Sequence, residues 1–203
     1  SMLGIIIRFL NLGIILIRIN VAKNIDDTLS SKLVKCVFGC GPVTIKFAQW
    51  YATRYDINSP TPQHLCKVLQ KTFENCPEHK FSYTEKVFKK NFNRELDTVL
   101  NLKRIPIASG SVGQVYEGIL KETGEEIVMK VKHPNLKRDF KLSVVIFKFF
   151  KIFMRMKFNV DDFLKDVKEQ FDYSVEAQNI ENMYELYKND NLIVIPRLIM
   201  YGS

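Results

Sequence analysis

The sequence predicts an α+β fold in which an all-helical region precedes a small antiparallel sheet. Helical periodicity and helix-breaking residues recur up to residue 102. From residue 103, three short β-type stretches follow, joined by a glycine-bearing loop and by a Thr123-Gly124 turn. With 203 residues, of which 46% are hydrophobic and 26% charged, the chain can bury a substantial core. We therefore expect a packed globular protein.

The first helix is expected over residues 3–19, an apolar stretch interrupted by Arg8, Asn11 and Arg18. A helix that crosses a bilayer needs about 20 predominantly apolar residues, so this stretch is short for a crossing. On a helical wheel the three polar residues lie within about 80° of one another, which leaves a broad apolar face. That face suits a helix lying on a membrane surface or on a partner, and it equally suits packing on this protein's own core.

The remaining helical region contains four further predicted helices. They cover about residues 27–38, 42–54, 63–73 and 82–92. Pro42 suits a first helical turn because its fixed φ is already helical and its missing N–H has no partner there. A break at residues 59–62 precedes the third of these helices, and Ser82 with Glu85 forms a predicted capping box for the fourth.

The second half of the chain is predicted to alternate strands with longer helices. The β-type stretches cover residues 104–108, 112–120 and 125–131. A Phe-rich helix is expected over about residues 140–156 and a long helix over about residues 160–188. A short final strand is expected at residues 192–196.

Charge and cysteine patterns restrict the class of protein. An excess of 30 Lys and Arg over 22 Asp and Glu gives a net charge of +8, which favours anionic partners such as nucleotides or lipid headgroups. The basic residues are scattered at helical spacing and no nucleic-acid-binding motif occurs, so no nucleic-acid partner is expected. The four cysteines lack disulfide or zinc-ligand spacing, which predicts reduced thiols in an intracellular reducing compartment and no metal centre.

A glycine-bearing loop lies between the first two β-type stretches. Residues 108–115 read ASGSVGQV and match the kinase glycine-loop form G-x-G-x-x-G-x-V, with alanine at the first glycine. Glycine lets the backbone approach phosphate oxygens closely and present its N–H groups. A strongly twisted hairpin would carry the same glycines, so the loop alone does not establish a phosphate site.

Lys130 strengthens the phosphate-binding interpretation. It ends the segment Ile127-Val128-Met129-Lys130, which fits the V-A-I-K strand of kinases except at its small second residue. A lysine on this strand places an ammonium beneath the loop, where it can neutralise phosphate oxygens. Glu176 on the predicted long helix, with Asp172 one turn earlier, is the expected carboxylate partner.

Four motifs in order extend this likeness. They are GPVTIKFAQ at residues 41–49, PIASGSVGQV at 106–115, KVKHP at 130–134, and QFDY at 170–173 with EAQN at 176–179. Over about residues 41–203 the chain resembles the UbiB family of atypical, protein-kinase-like proteins, also called ADCK. The first motif is similar to the family's K-x-G-Q helix, the second to its alanine-rich phosphate loop, and the last to its E-x-D and E-A-x-N signature.

The resemblance implies a domain organisation and a class of activity. We expect amphipathic helices at residues 1–40, a helical extension of the K-x-G-Q type at 41–102, and a protein-kinase-like small lobe at 103–203. The lobe would combine an antiparallel sheet with a long C-type helix and end before the hinge to a large lobe. The family is associated with membrane-bound, ATP-dependent support of ubiquinone synthesis or other lipid chemistry, as an ATPase or small-molecule kinase.

The resemblance also implies site residues. ATP would be the cofactor, and Lys130 paired with Glu176 would form the catalytic pair. The loop residues expected to hold the phosphates with Lys130 are Ala108, Ser109, Gly110, Ser111, Val112, Gly113 and Val115. Lys46 and Gln49, one turn apart, would face the nucleotide cleft near Asp172 and, with Gln170, occlude the pocket.

The sequence departs from the family pattern at several positions. Ala48 replaces the glycine of K-x-G-Q, and Gln170 replaces the first acid of E-x-D, which removes a negative charge and any metal ligation that the acid would provide. Ser109 and Gly110 stand where the family usually has alanines. We expect Gly110 to permit easier ATP binding than alanine would.

The H-R-D and D-F-G motifs of complete kinases do not occur in the sequence. Magnesium ligands are therefore expected mainly from a large lobe, and this 203-residue chain alone is expected to be inactive. The sequence is interpreted as the nucleotide-binding half of a longer ATPase or kinase, peripheral to or anchored in a membrane. The alternative is a non-catalytic membrane- or partner-binding module on a degenerate lobe. If the chain is a fragment, its exposed apolar face would favour a homodimer.

Overall fold

The computed structural model of the chain describes residues 2–21, 25–53, 63–73, 76–154 and 159–202. The first helices are α1 (Met2–Val21), α2 (Asp27–Gly39), α3 (Pro42–Ala52), α4 (Gln63–Gln70), α5 (Phe81–Phe92) and α6 (Leu96–Val99). The strands are β1 (Leu100–Leu102), β2 (Ala108–Ser109), β3 (Gly113–Leu120) and β4 (Glu126–Lys132). Helices α7 (Leu136–Met154), α8 (Val160–Glu169) and α9 (Tyr173–Tyr187) follow. The predicted α+β fold, with helices before a small antiparallel sheet, is confirmed.

Helices α1 to α4 pack around one apolar core. Leu33 of α2 is fully buried there, among side chains from all four helices. Helix α2 begins at the cap residue Asp26, whose carboxylate accepts the backbone N–H of Leu29 at 2.6 Å. Pro42 opens α3 directly after Gly41, whose φ of 95° lies in the region that favours glycine. The predicted start of α3 is therefore confirmed.

A second core joins α1 and α3 to α7 and α8. The ring of Phe47 lies 5.4 Å from that of Phe147 and 5.8 Å from that of Phe163, in edge-to-face contacts. Phe9 of α1 packs against Phe147, with ring centroids 6.4 Å apart. The N-terminal helix is thus docked on the protein's own core along one side.

The opposite side of α1 is apolar and exposed to solvent. Its exposed apolar residues, with exposed fractions of 41–65%, are Ile6, Ile7, Leu10, Ile14 and Ile17. These positions repeat at intervals of three or four residues, so they form a continuous stripe, which we call the α1 stripe. Among the residues that the structure describes, no helix combines the length and hydrophobicity needed to cross a membrane.

Strand β3 lies at the centre of the sheet and pairs antiparallel with β1, β2 and β4. In this register Val115 lies opposite Lys130 on β4 and opposite Ala108 on β2. Helix α5 covers one face through Phe88, which packs with Leu120 and with residues of α6 and β1. The glycine loop therefore connects β2 to β3, the neighbour of the strand that carries Lys130.

Several predicted boundaries in the first half of the chain are wrong. Residues 100–102 form strand β1 and not helix, because they pair with Leu120, Ile119 and Gly118 of β3. The capping box of Ser82 and Glu85 does not form, because α5 begins earlier, at Phe81, and its cap residue Lys80 makes no side-chain hydrogen bond. The strand predicted at residues 104–108 is reduced to the pair Ala108–Ser109.

The predicted long helix at residues 160–188 is interrupted. Helix α8 ends at Glu169, and Asp172 adopts an extended conformation in which its carboxylate accepts the backbone N–H of Ser174. Aspartate is a favoured helix-capping residue, so α9 begins anew after it. The strand predicted at residues 192–196 is also wrong, since the described residues 193–202 have no regular secondary structure. The break predicted at residues 59–62 and the helix ends predicted near Arg54 and Met156 lie outside the described residues.

Candidate phosphate-binding site

Lys130 and Glu176 are in direct contact. The ammonium of Lys130 donates to both carboxylate oxygens of Glu176 at 2.7 Å each. Glu176 lies in the first turn of α9, where the helix dipole favours negative charge. The two side chains are 41% and 45% exposed, so the pair contributes no more than about 1 kcal/mol to stability. Its open position instead leaves the ammonium accessible to an anion.

Tyr173 links this ion pair to the glycine loop. Its ring lies 4.6 Å from the ammonium of Lys130 and 4.7 Å from that of Lys132, within the range of cation–π attraction. Burial, and then the charge of Glu176, raises the pKa of Tyr173. Its hydroxyl is buried with no hydrogen-bond partner among the described residues and lies against Gly113. The Tyr173 side chain therefore contacts both the two lysines and the glycine loop.

Sequence reasoning missed Tyr173 and Lys132. The alternation of a strand places residues 130 and 132 on the same face of β4, so a second lysine beside the first could have been found. The position of Tyr173 depends on the helix break at Asp172, which the periodicity of the segment does not indicate.

The loop backbone combines internal hydrogen bonds with free donors. Gly110 donates its N–H to the carbonyl of Gly113 at 2.9 Å, and the carbonyl of Val112 accepts the N–H of His133 at 2.9 Å. Within the described part of the chain, the N–H groups of Ser111 and Val112 donate to no backbone carbonyl. Two adjacent backbone N–H groups of this kind can donate to phosphate oxygens.

The two loop glycines have different surroundings. A Cβ at Gly110 would meet only the carbonyl oxygen of Gly113, at 3.7 Å, so space for a ligand remains on this side of the loop. A Cβ at Gly113 would come well under 3.0 Å from the hydroxyl of Tyr173 and from the carbonyl oxygen of Val131. Gly113 is therefore needed for packing, and Gly110 is not.

A cavity of about 450 Å³ opens beside β2. It is lined by Cys76, Pro77, Glu78, Pro106, Ile107, Ala108 and Ser109. This volume lies within the range of ligand-binding clefts. The hydroxyl of Ser109 is buried without a partner among the described residues, and burial raises the pKa of the Cys76 thiol to about 11, so the thiol is neutral.

The predicted pocket-occluding residues are not all brought together. Lys46 lies near Cys76 and Lys130, and its pKa is lowered, chiefly by burial and further by the charge of Lys130. The side-chain amide of Gln49 donates to the carbonyl of Thr72 at 2.8 Å. Lys46 is thus the member of the K-x-G-Q-like motif whose charge reaches the ion pair.

The other two predicted members lie at the junction of α8 and α9. Gln170 is exposed and ends α8, where its backbone N–H donates to the carbonyl of Asp166. Asp172 caps α9, and hydrogen bonds from Ser174 lower its pKa, with further effects from the charges of Lys132 and Lys137. The lysine charges that act on Asp172 are thus those of Lys132 and Lys137.

The site fits phosphate better than it fits a metal ion. Lys130, Lys132 and Lys46 bring three ammonium groups to one region, with Glu176 and Asp172 as the acids beside them. Across the described ranges, no group of three or more His, Cys, Asp or Glu side chains is arranged to hold a metal.

A strand lysine held by a helix carboxylate beneath a glycine loop defines a kinase-like small lobe. Residues 71–202 match the ABC1 atypical kinase-like domain, so the chain belongs to the ABC1 family, which includes the UbiB proteins. The resemblance found in the motifs is thereby confirmed.

Similar proteins occur in amoebae, plants and bacteria. The chain is 28% identical to the "Probable serine/threonine-protein kinase abkC" of Dictyostelium discoideum, over 94% of this chain and 30% of that protein. It is 29% identical to the "Protein ACTIVITY OF BC1 COMPLEX KINASE 1, chloroplastic" of Arabidopsis thaliana, over 77% of this chain and 24% of that protein. It is 26% identical to the "Probable protein kinase UbiB" of Pseudomonas fluorescens, over 87% of this chain and 34% of that protein. The chain thus spans about a third or less of the length of these relatives.

Proposed function

We propose that this chain is the nucleotide-binding part of an ATP-dependent, atypical kinase-like protein. The observation that carries the proposal is the two-oxygen contact between Lys130 and Glu176 beneath the glycine loop. In protein kinases such a pair places the ammonium on the phosphates of ATP. Here Glu176 orients Lys130, and the backbone N–H groups of Ser111 and Val112 bind phosphate oxygens above it.

The reaction of the whole protein belongs to the same proposal. In kinases, magnesium and the phosphoryl acceptor are bound chiefly by a large lobe, and we propose the same division for the whole protein. The family resemblance supports an ATPase or small-molecule kinase that serves quinone or other lipid metabolism at a membrane.

Nucleotide binding is tested by thermal unfolding with magnesium-ATP. At a concentration of one hundred times Kd, a ligand stabilises its protein by about 2.7 kcal/mol, which raises Tm by about 5–10 °C for a chain of this size. Lys130→Ala is expected to abolish the shift. Lys103→Ala is the matched control, since Lys103 forms an exposed ion pair with Glu117 on the same sheet. Equal shifts in both variants would contradict the role of Lys130.

The α1 stripe favours a second function, that of a module that binds a membrane surface or a partner. Burial of the α1 stripe against a vesicle surface or against a second copy of the chain would remove exposed apolar area from water. Leu10→Glu is expected to reduce sedimentation with anionic vesicles, and Asn11→Glu, on the polar side of the helix, is not. Sedimentation velocity on the same variants tests whether the α1 stripe joins two copies of the chain. A wild-type chain that is monomeric and does not bind vesicles would argue against this function.

A further inference from the structure

Two histidines meet behind the glycine loop. Nδ1 of His79 lies 2.9 Å from Nδ1 of His133, and the rings are nearly perpendicular, with centroids 5.1 Å apart. On the outer side of the pair, Nε2 of His133 lies 2.9 Å from the carbonyl oxygen of Gly110. On the inner side, Nε2 of His79 lies 3.0 Å from the hydroxyl of Thr84. A chain of hydrogen bonds thus runs from α5 to the loop.

The partners fix the direction of every bond in this chain. A carbonyl oxygen can only accept, so Nε2 of His133 must carry a proton and donate to Gly110. If His133 is neutral, its Nδ1 is then unprotonated and must accept from Nδ1–H of His79. Nε2 of His79 is consequently an acceptor, and the Thr84 hydroxyl must donate to it.

The inner end of the chain is buried and fully paired. The Thr84 and Tyr116 hydroxyls lie 3.1 Å apart, and since Thr84 donates to His79, it accepts from Tyr116. Gln114 holds the backbone of His79 on both sides: its Oε1 accepts the N–H at 2.9 Å and its Nε2 donates to the carbonyl at 3.1 Å. Nε2 of Gln114 also donates to Tyr116. Thr84, Gln114 and Tyr116 are fully buried, so solvent water does not compete for the hydrogen bonds at this end.

We propose that His79 and His133 are positioning residues for the glycine loop, joined in a one-directional hydrogen-bond relay that holds the Gly110 carbonyl. The relay requires the Nδ1–H tautomer of His79 and the Nε2–H tautomer of His133. Because the peptide bond between Gly110 and Ser111 is planar and trans, holding the Gly110 carbonyl also fixes the N–H of Ser111 on the opposite side. The importance of this orientation for ligand binding rests on the proposed nucleotide function, whereas the relay itself does not.

An added proton breaks the relay. Protonation of His133 at Nδ1 would bring two N–H donors face to face across 2.9 Å. Tyr83 contacts the His79 ring from α5, and Tyr116 on β3 is reached through Thr84; both are phenols, which do not balance a histidine charge at neutral pH. Burial and then the charge of His133 lower the pKa of His79 to about 4, and burial lowers the pKa of His133. The relay is therefore intact at neutral pH.

The tautomers are tested directly by NMR of the full chain with ¹⁵N-labelled histidine at pH 7. The chain has three histidines, and His64, exposed on α4, serves as the reference. We expect the protonated nitrogen to be Nδ1 in His79 and Nε2 in His133. An Nε2–H tautomer at His79, or a positive charge on either ring, would overturn the proposal.

The effect on the loop is tested by amide hydrogen exchange at Gly110, whose N–H donates to the carbonyl of Gly113. His133→Phe removes the donor to Gly110 and is expected to increase exchange there by roughly tenfold, the loss of about one hydrogen bond. His133→Gln, whose amide reaches the position of Nε2, is expected to restore most of the protection, and His64→Gln is expected to change nothing. Equal protection in the Phe and wild-type proteins would refute positioning.

Two further measurements keep the test decisive. If His133→Phe does not fold, His79→Phe leaves the Gly110 contact in place, so His133 is expected to keep its Nε2–H tautomer, and a mixture of tautomers would refute the bond to Gly110. Magnesium-ATP affinity is then compared between wild type and His133→Gln or Phe. Absence of any ATP binding by the wild type would refute the proposed function, while the tautomers and exchange rates would still decide the relay.

Discussion

Replacing Gly113 by alanine tests whether the glycine loop is packed against α9 as described. A Cβ at this position would come well under 3.0 Å from two oxygens, the hydroxyl of Tyr173 and the carbonyl of Val131. The tyrosine can move, but Val131 belongs to β4, and its displacement would distort the pairing of β3 with β4. Overpacking of this kind costs about 1–3 kcal/mol of stability. Because a backbone carbonyl obstructs the new Cβ, we expect Gly113→Ala to lower the free energy of unfolding by about 2–3 kcal/mol.

Gly110→Ala is the matched control three residues away. Its Cβ would meet its nearest atom, the carbonyl oxygen of Gly113, at an ordinary 3.7 Å, and Gly110 does not have a positive φ. We expect a stability change within about 0.5 kcal/mol, or a gain of about 0.4–1 kcal/mol from the lower entropy of the unfolded chain.

Urea unfolding followed by far-UV circular dichroism and by the fluorescence of Trp50, the single tryptophan, measures both changes. Coincident transitions by the two probes are required, because Trp50 lies in the α3–α7–α8 core and not beside the loop. Tyr173→Phe in the Gly113→Ala background is expected to recover part of the loss, since the obstacle at Val131 remains. Equal stabilities of the two alanine variants would refute the packing described for the loop.

Three further outcomes follow from the same structure. Leu33→Ala, at a fully buried position, is expected to cost about 2–5 kcal/mol, and a change below about 1 kcal/mol in urea unfolding would contradict its place in the core. His79 has a folded pKa of about 4 against an ordinary value of 6.5, so the unfolded chain binds more protons between these values, and stability falls as the pH is lowered from 6.5 towards 4. Because His79 is partly exposed, we expect the free energy of unfolding of the wild type to fall by about 1–2 kcal/mol over this pH range, and to fall less in His79→Gln. The same dependence of stability on pH in both proteins would argue against this contribution of His79. Gly110→Ala is expected to weaken magnesium-ATP binding in titration calorimetry without loss of stability, and unchanged or tighter binding would count against the role of this glycine.

The parts of the fold that are predictable from the sequence are those with local signals. Pro42 marks the start of α3, and the Thr123-Gly124 turn joins β3 to β4 as expected. The contact between Lys130 and Glu176 was indicated by motif spacing, and the structure shows it. The role of that contact in ATP binding stays a prediction.

The unpredicted parts depend on contacts between distant segments. His79 and His133 lie 54 residues apart, and neither has a neighbour in sequence that indicates the other. Tyr173 reaches Gly113 only because α9 starts anew after Asp172, an event that depends on a single capping side chain. Helical periodicity across the segment is nearly continuous, so it indicates one helix where the backbone forms two.

The interruption between α8 and α9 has a consequence for how each helix responds to ions. Helix α8 buries Val160, Phe163, Leu164 and Val167, whereas α9 buries only Ala177. Added salt screens exposed charges but does not weaken apolar burial, so a rising ionic strength should loosen α9 while α8 keeps its place. The contact of α9 that an added anion would weaken is the one between Lys130 and Glu176, because a competing solute can take the place of the carboxylate.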